Sequence, residues 1–175
     1  SSPAVLEAQS PARHRLAYDE LLANQLALML VRHHMKRASG RSLRGTGDRR
    51  AAIINALPYT LTGAQSAAVS DILKDMAQPL RMIRLLQGDV GAGKTVVALL
   101  ALAAAVEAGA QGALMAPTEI LARQHLATLS KLAPAAGLRL GLLTGREKGA
   151  ARETLLADVA AGNIDILIGT HALFQ

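Results

Sequence analysis

Residues Gly88 to Thr95 read GDVGAGKT, a full match to the phosphate-binding pattern G-x-x-x-x-G-K-[ST]. No other stretch limits the fold so tightly, because the pattern works only as a turn between a strand and a helix. Gly88, Gly91 and Gly93 are expected to turn with positive φ and to let the backbone approach a ligand with no Cβ in the way. The turn from Gly88 through Asp89, Val90, Gly91, Ala92 and Gly93 then forms an anion cradle of N–H groups, to which the following helix adds its positive end. Lys94 is placed to reach the β and γ phosphates of a nucleotide, and Thr95 to set a hydroxyl on Mg²⁺.

The flanks have the order that this mechanism requires. Met82–Gln87 is a short apolar run that predicts a buried strand, and Val96–Val106 predicts a helix closed by Gly109. The bland alternative is an ordinary Gly-rich turn, against which the Lys94-Thr95 pair argues. A dinucleotide fingerprint would need a third glycine at position 96, where Val96 stands.

Downstream the pattern alternates. Strands are predicted at 112–116, 138–143 and 165–169, and helices at 119–132 and 149–161. Such alternation predicts an α/β fold, a three-layer parallel sheet with right-handed crossovers and helices on its faces. The apolar strands suit burial on both sides. Upstream, residues 1–12 read as a frayed, disordered start. A long amphipathic helix is predicted over 13–37, with Leu16, Leu21, Leu22, Leu26, Met29 and Leu30 on one side. Residues 38–50 read as a mobile loop and 51–56 as a short helix stopped by Pro58. Thr62 and Gln65 have capping-box spacing and open a helix that runs through Met76.

With 51% hydrophobic residues the 175-residue chain can build a sizeable core for one domain with an appendage. No apolar run is long enough to span a membrane, and the start lacks a secretory pattern. Zero cysteines exclude disulfides and cysteine metal sites, so a cytoplasmic protein is expected. The net charge of +6 suits a polyanion. Much of it lies in Arg32, His33, His34, Lys36, Arg37, Arg41, Arg44, Arg49 and Arg50, which form either a nucleic-acid contact or a solvated helix end and basic loop. Aromatic residues make up 2% of the chain, so any nucleic-acid contact should be mainly to the phosphate backbone.

Ligands of a parallel sheet bind at the carboxyl ends of its strands. There, Pro117-Thr118 opens a helix that Thr118 can cap, leaving N–H groups for a phosphate, with Arg123 and Gln124 following. Thr144-Gly145 and Thr170-His171 end the next two strands, and their hydroxyls suit a sugar-phosphate strand, unless they are merely the small polar residues such loops usually carry. Tyr59 and Gln65 can select adenine, the ring by stacking and the amide by hydrogen bonds left over from capping. His33, His34, His125 and His171 lack metal-site spacing.

On these stretches the chain resembles the RecG family of bacterial ATP-dependent DNA helicases. The matching segments are RLAYDELLANQLALML at 15–30, LPYTLTGAQ at 57–65, RLLQGDVGAGKTVVA at 84–98, APTEILARQH at 116–125, LLTG at 142–145 and IGTHALFQ at 168–175. Related translocases, including the transcription-repair coupling factor, share the GDVG-x-GKT type of loop, and the LANQLAL helix and THALFQ favour RecG over them. The resemblance implies a RecA-like first motor domain over 57–175 and a connector at 13–56 from a wedge domain that reads branched junctions. It implies ATP and Mg²⁺ as cofactors, branched DNA as the partner, and roles in repair and recombination. Gly88–Thr95 would be motif I, with Lys94 and Thr95 catalytic, and Tyr59 and Gln65 the adenine element. Pro117, Thr118, Glu119 and Arg123 would be motif Ia, and Thr144, Gly145, Thr170 and His171 further DNA-contacting loops. The family's acidic Walker B pair follows THALFQ and is not in this chain, nor is a second motor domain, so the domain is expected to be incomplete, monomeric and inactive as an ATPase by itself. Two other readings stay open: a small P-loop kinase, whose lid arginines would be Arg146 and Arg152, and a non-catalytic nucleic-acid-binding module using residues 32–50.

Overall fold

The computed structural model describes residues 10–37 and 39–174. Among the described residues there are six α-helices, α1 (Pro11–Arg37), α2 (Asp48–Ala56), α3 (Gly63–Met76), α4 (Lys94–Glu107), α5 (Glu119–Leu129) and α6 (Ala150–Ala160), and three short strands. The strands β1 (Gly112–Met115), β2 (Leu140–Leu143) and β3 (Ile166–Gly169) form a parallel sheet in the order β1-β3-β2. Ile166 of β3 stands opposite Gly112 on one side and Leu140 on the other. The α/β fold with helices flanking a parallel sheet follows the alternation of the sequence.

The core lies between α4 and the sheet. Leu99, Leu100, Ala103 and Ala104 of α4 are fully buried, as are Ile166 and Ile168 of β3. Only β3, paired on both edges, shows the burial expected of all three strands. In β1 the exposure alternates, and Met115 is 55% exposed, so one face of this edge strand is uncovered among the described residues. The strand predicted at Met82–Gln87 does not form, and Ile83 and Leu85 are exposed. The sheet ends at β1 and β2, each paired only with β3, and residues 82–87 add no strand to either outer edge.

Helix α1 begins earlier than predicted. Pro11 takes the first helical position, and the Ser10 hydroxyl accepts from the Arg13 N–H at 3.4 Å. Pro11 and Ala12 therefore leave the expected disordered start, whose residues 1–9 lie outside the described residues. The leucines on α1 form no buried stripe: Leu16, Leu21, Leu26 and Leu30 are all exposed.

The segment expected to be a mobile basic loop is tied down. The N–H groups of Gly40 and Leu43 donate to the carbonyls of Pro79 (2.9 Å) and Met76 (2.8 Å). Arg41 donates to the Ala108 carbonyl at 2.8 Å, just past the C-terminus of α4. Arg49 donates to the Ala136 and Gly137 carbonyls (2.9 and 3.0 Å), where a 3₁₀ turn at Ala133–Ala136 ends. Helix ends present unpaired carbonyls and partial negative charge, and these arginines satisfy both. Glu107 does the reverse for α2. Its carboxylate accepts the N–H groups of Gly47 (3.0 Å), Arg49 (2.7 Å) and Arg50 (3.3 Å), with the Arg50 guanidinium at 3.7 Å. This anchoring lets α2 start at Asp48 rather than at residue 51, with Ile53 fully buried. Arg41, Arg49 and Arg50 are thus structural. The side chains of Arg32, His33, His34, Lys36 and Arg37 lie outside the described residues.

Candidate nucleotide and nucleic-acid site

Helix α4 packs on β1 and joins it by the short turn Ala108–Gln111, so its first turn falls at the carboxyl end of that strand. There the GDVGAGKT loop is formed. Gly91 and Gly93 have φ of 85° and 75°, the left-handed region where a side chain is strained. Gly88 lacks the positive φ expected of it, and a Cβ there would sit 3.5 Å from that of Ala92, an ordinary contact. Two glycines rather than three therefore shape the turn. The Lys94 ammonium is folded back on the loop, donating to the Gly88 and Asp89 carbonyls at 2.6 and 2.7 Å. Asp89 and Val90 are exposed at the tip, and Ala92 N–H donates to the Asp89 carbonyl at 3.2 Å. Among the described residues, the N–H groups of Lys94 and Thr95 have no acceptor. Free N–H groups at a helix start, beside a lysine that can exchange carbonyls for anionic oxygens, fit a phosphate. Thr95 is half-buried in the same turn and offers one hydroxyl to a cation.

Gln65 ties α3 to this loop. Its Oε1 accepts the Thr62 N–H at 2.9 Å while the Thr62 hydroxyl accepts the Gln65 N–H at 3.2 Å, the capping box read from the sequence. The amide nitrogen, left over from capping, donates to the Ala92 carbonyl at 3.0 Å. A Cβ at position 93 would strike that nitrogen, so Gly93 is required twice over. Tyr59 does not join the loop. It is half exposed and lines a groove of about 610 Å³ with Ile54, Leu57, Pro58 and Leu61.

The other predicted residues meet along the sheet's carboxyl edge. Thr118 caps α5, accepting the Leu121 N–H at 3.3 Å, with Pro117 exposed beside it. Arg123, one turn further, donates to Glu119 at 2.8 Å and approaches Glu147 at 3.7 Å. Arg146 reaches the same Glu119 oxygen at 3.0 Å. These ion pairs join the loop after β1 to the loop after β2. Thr144 and Thr170 do not present their side chains as expected: Thr144 is fully buried and Thr170 nearly so. The Thr144 hydroxyl and N–H both donate to Glu147 Oε2, at 2.7 and 2.6 Å. Gly145 and His171 are exposed, and His171 opens a 3₁₀ turn at the end of central β3, between the two outer loops.

Glu147 is the residue that motif reasoning missed, although Thr144-x-x-Glu147 has capping-box spacing without a helix directly after it. Burial pushes its carboxyl up, but the hydrogen bonds from Thr144 and from its own N–H, with the Arg123 charge, hold it below the usual glutamate range. Asp165, before β3 at the other end of the sheet, is held below its usual range by the Arg139 guanidinium against the opposing effect of burial. That pair locks the start of the central strand to the chain entering β2 and takes no part in the site.

The comparisons with known proteins bear on the family and the fold. The family described as DEAD/DEAH box helicase matches residues 62–175. The chain is 47% identical to the ATP-dependent DNA helicase RecG of Bacillus subtilis (strain 168) over 174 residues, covering 99% of this chain and 26% of that protein. It is 42% identical over 167 residues to RecG of Escherichia coli (strain K12), covering 95% of this chain and 24% of that one. A solved structure of RecG bound to a three-way DNA junction superposes with a TM-score of 0.81 at 41% identity, covering 94% of this chain and 22% of the other. The chain spans about a quarter of the length of the relatives it matches.

Proposed function

The chain belongs to the DEAD/DEAH box helicase family, its matched relatives being RecG helicases, and from that premise we propose that it is the ATP-binding half of a motor acting on branched DNA. The observation that carries this reading is the placement of two anion sites along one sheet edge. The phosphate loop, with Gln65 on its Ala92 carbonyl, lies at the end of β1, and the Thr118, Arg123 and Thr144 cluster continues from there to β2. One suits a nucleotide and the other the backbone of a nucleic-acid strand.

In this reading the loop from Gly88 to Thr95 holds the ATP phosphates, Lys94 neutralises them, and Gln65 sets the loop's shape. Tyr59 offers a face to the base. Thr95 supplies a hydroxyl to Mg²⁺, whose other positions would be filled by phosphate oxygens and water. Pro117, Thr118, Arg123, Gly145 and His171 form the track for the strand. Thr144 and Thr170 support it from beneath through their backbones. Residues 13–56 act as a connector and 57–175 as the motor unit, with α2 of the connector docked on α4 through Glu107 and Ile53. The helicase match leaves the small-kinase alternative without support.

Titration of a fluorescent ATP analogue and of a labelled DNA strand into the 175-residue chain tests the proposal. Lys94→Ala should weaken nucleotide binding about 100-fold and leave DNA affinity intact. Thr118→Ala and Arg123→Ala should do the opposite. Loss of both ligands with each variant would overturn the division. No described acidic side chain contacts Lys94 or Thr95 to orient a water, so binding without appreciable hydrolysis is expected. DNA-stimulated turnover by this chain would refute that.

A further inference from the structure

We propose that the Glu147 carboxylate is a built-in stand-in for a nucleic-acid phosphate, seated in the anion site made by Thr144 and Arg123, and that a strand must displace it to bind at the end of β2. This role rests on the nucleic-acid reading above and adds a control to it.

The Thr144 hydroxyl and N–H converge on one carboxylate oxygen, and the Arg123 guanidinium faces the other at 3.7 Å. Two hydrogen-bond donors and a cation converging on two oxygens is also how a phosphodiester is held. Thr144 is fully buried, whereas the Glu147 side chain is 22% exposed. The carboxylate therefore sits at the mouth, and an outside anion reaches Thr144 only by taking its place. The neighbouring cations are answered in the same way. Arg123 and Arg146 share Glu119, so two arginines face two glutamates and the patch is neutral in a chain of net charge +6.

The segment carrying Glu147 lies between Gly145 and Gly149, and an added Cβ at either would meet nothing within 4 Å. Gly149 has φ of 55°, a conformation open to glycine. Withdrawal of the carboxylate would bare the Thr144 donors and free Arg123 for a phosphate in one movement. Charge-assisted hydrogen bonds are exchanged for others of the same kind, so the barrier to displacement is modest while the competition is direct.

Fluorescence anisotropy with a labelled 20-nucleotide oligo-dT, with thermal unfolding to confirm folding, decides the matter. Glu147→Gln should tighten binding about 5-fold or more, the scale of one charge-assisted contact. Glu147→Ala, which empties the site, should do the same. Glu153→Gln, which neutralises an exposed carboxylate in the first turn of α6, measures the bulk charge effect and should change affinity less than 2-fold, by roughly the screened share of a surface charge. Adding Arg123→Ala to Glu147→Gln should erase the gain. If both Glu147 variants bind no tighter than Glu153→Gln, the stand-in role is refuted, while a loss of affinity in Arg123→Ala alone keeps the nucleic-acid reading. If neither Arg123→Ala nor Thr118→Ala weakens binding, the nucleic-acid reading itself fails.

Discussion

The two anion sites along the sheet edge are both closed on themselves, but with different partners. At the phosphate loop the cation Lys94 is held by two neutral carbonyls, those of Gly88 and Asp89. At the end of β2 the cations Arg123 and Arg146 are held by two carboxylates, Glu119 and Glu147. A carbonyl is a weaker competitor than a phosphate oxygen for an ammonium, so the first site opens to its ligand without opposition from charge. A carboxylate competes on nearly equal terms, so the second site opens only against an internal anion. The first site also draws on backbone N–H groups at the start of α4, which no side-chain change removes, whereas the second has one such donor on Glu147, the Thr144 N–H, beside the Thr144 hydroxyl and the arginines. The nucleotide site is thus poised, and the strand site is guarded.

The sharpest way to break this contrast is Lys94→Ala. The first site has one cation, so nucleotide affinity should fall about 100-fold, or roughly 2.7 kcal/mol, the scale of a lost charge-assisted contact to phosphate. Calorimetric titration checks it, and DNA affinity should not move. Gly93→Ala comes next. The left-handed φ alone costs about 1–2 kcal/mol, and the new Cβ must also push the Gln65 amide off Ala92. Unfolding in urea should show that loss, together with weaker nucleotide binding. A Gly88→Ala variant should be far milder, because its φ is ordinary. Equal damage at 88 and 93 would contradict the two-glycine shape of the loop.

These variants also mark what a reader of the bare sequence could see. The loop, the capping box at Thr62 and Gln65, and the α/β alternation are local patterns, in which a few residues dictate a backbone shape whatever surrounds them. The Met82–Gln87 run was not legible in that way, because a strand is a relation between two segments and this one pairs with neither edge of the sheet. The arginines at 41, 49 and 50 were equally opaque. Their charge advertised a polyanion, but Arg41 and Arg49 donate to carbonyls at helix ends far along the chain and Arg50 faces the Glu107 carboxylate. Glu147 was hidden for the same reason as Arg123's real environment: the loop after β1 and the loop after β2 become neighbours only through the sheet order.

At the guarded site the expected effects are smaller. Arg123→Ala should weaken oligo-dT binding about 3- to 10-fold and lower the slope of log affinity against log salt by about one, as one phosphate contact is lost. The same salt series should leave the Lys94 contribution to nucleotide binding less altered, since half-buried Lys94 is screened less than exposed Arg123. A salt slope unchanged in Arg123→Ala would mean that the residue serves only Glu119 and Glu147.

The smallest effect expected is on acid stability, and its sign follows from the carboxylates. Glu147 has a lower pKa folded than unfolded, so as pH falls the unfolded chain binds protons first and is favoured. The stabilisation is complete above the ordinary glutamate value of about 4.3 and is lost as pH falls through the lower folded value. Asp165 acts in the same direction, through Arg139 at the opposite end of the sheet. Between pH 6 and 8 neither contributes a slope. Unfolding midpoints followed from pH 6 down to pH 3 should therefore decline less steeply in Glu147→Gln and in Asp165→Asn than in the parent, while Lys94→Ala should follow the parent curve, since its partners are carbonyls that do not titrate. A Glu147→Gln curve that superimposes on the parent would mean that the carboxylate is not seated on Thr144 in solution, and the guarded site would then be as open as the poised one.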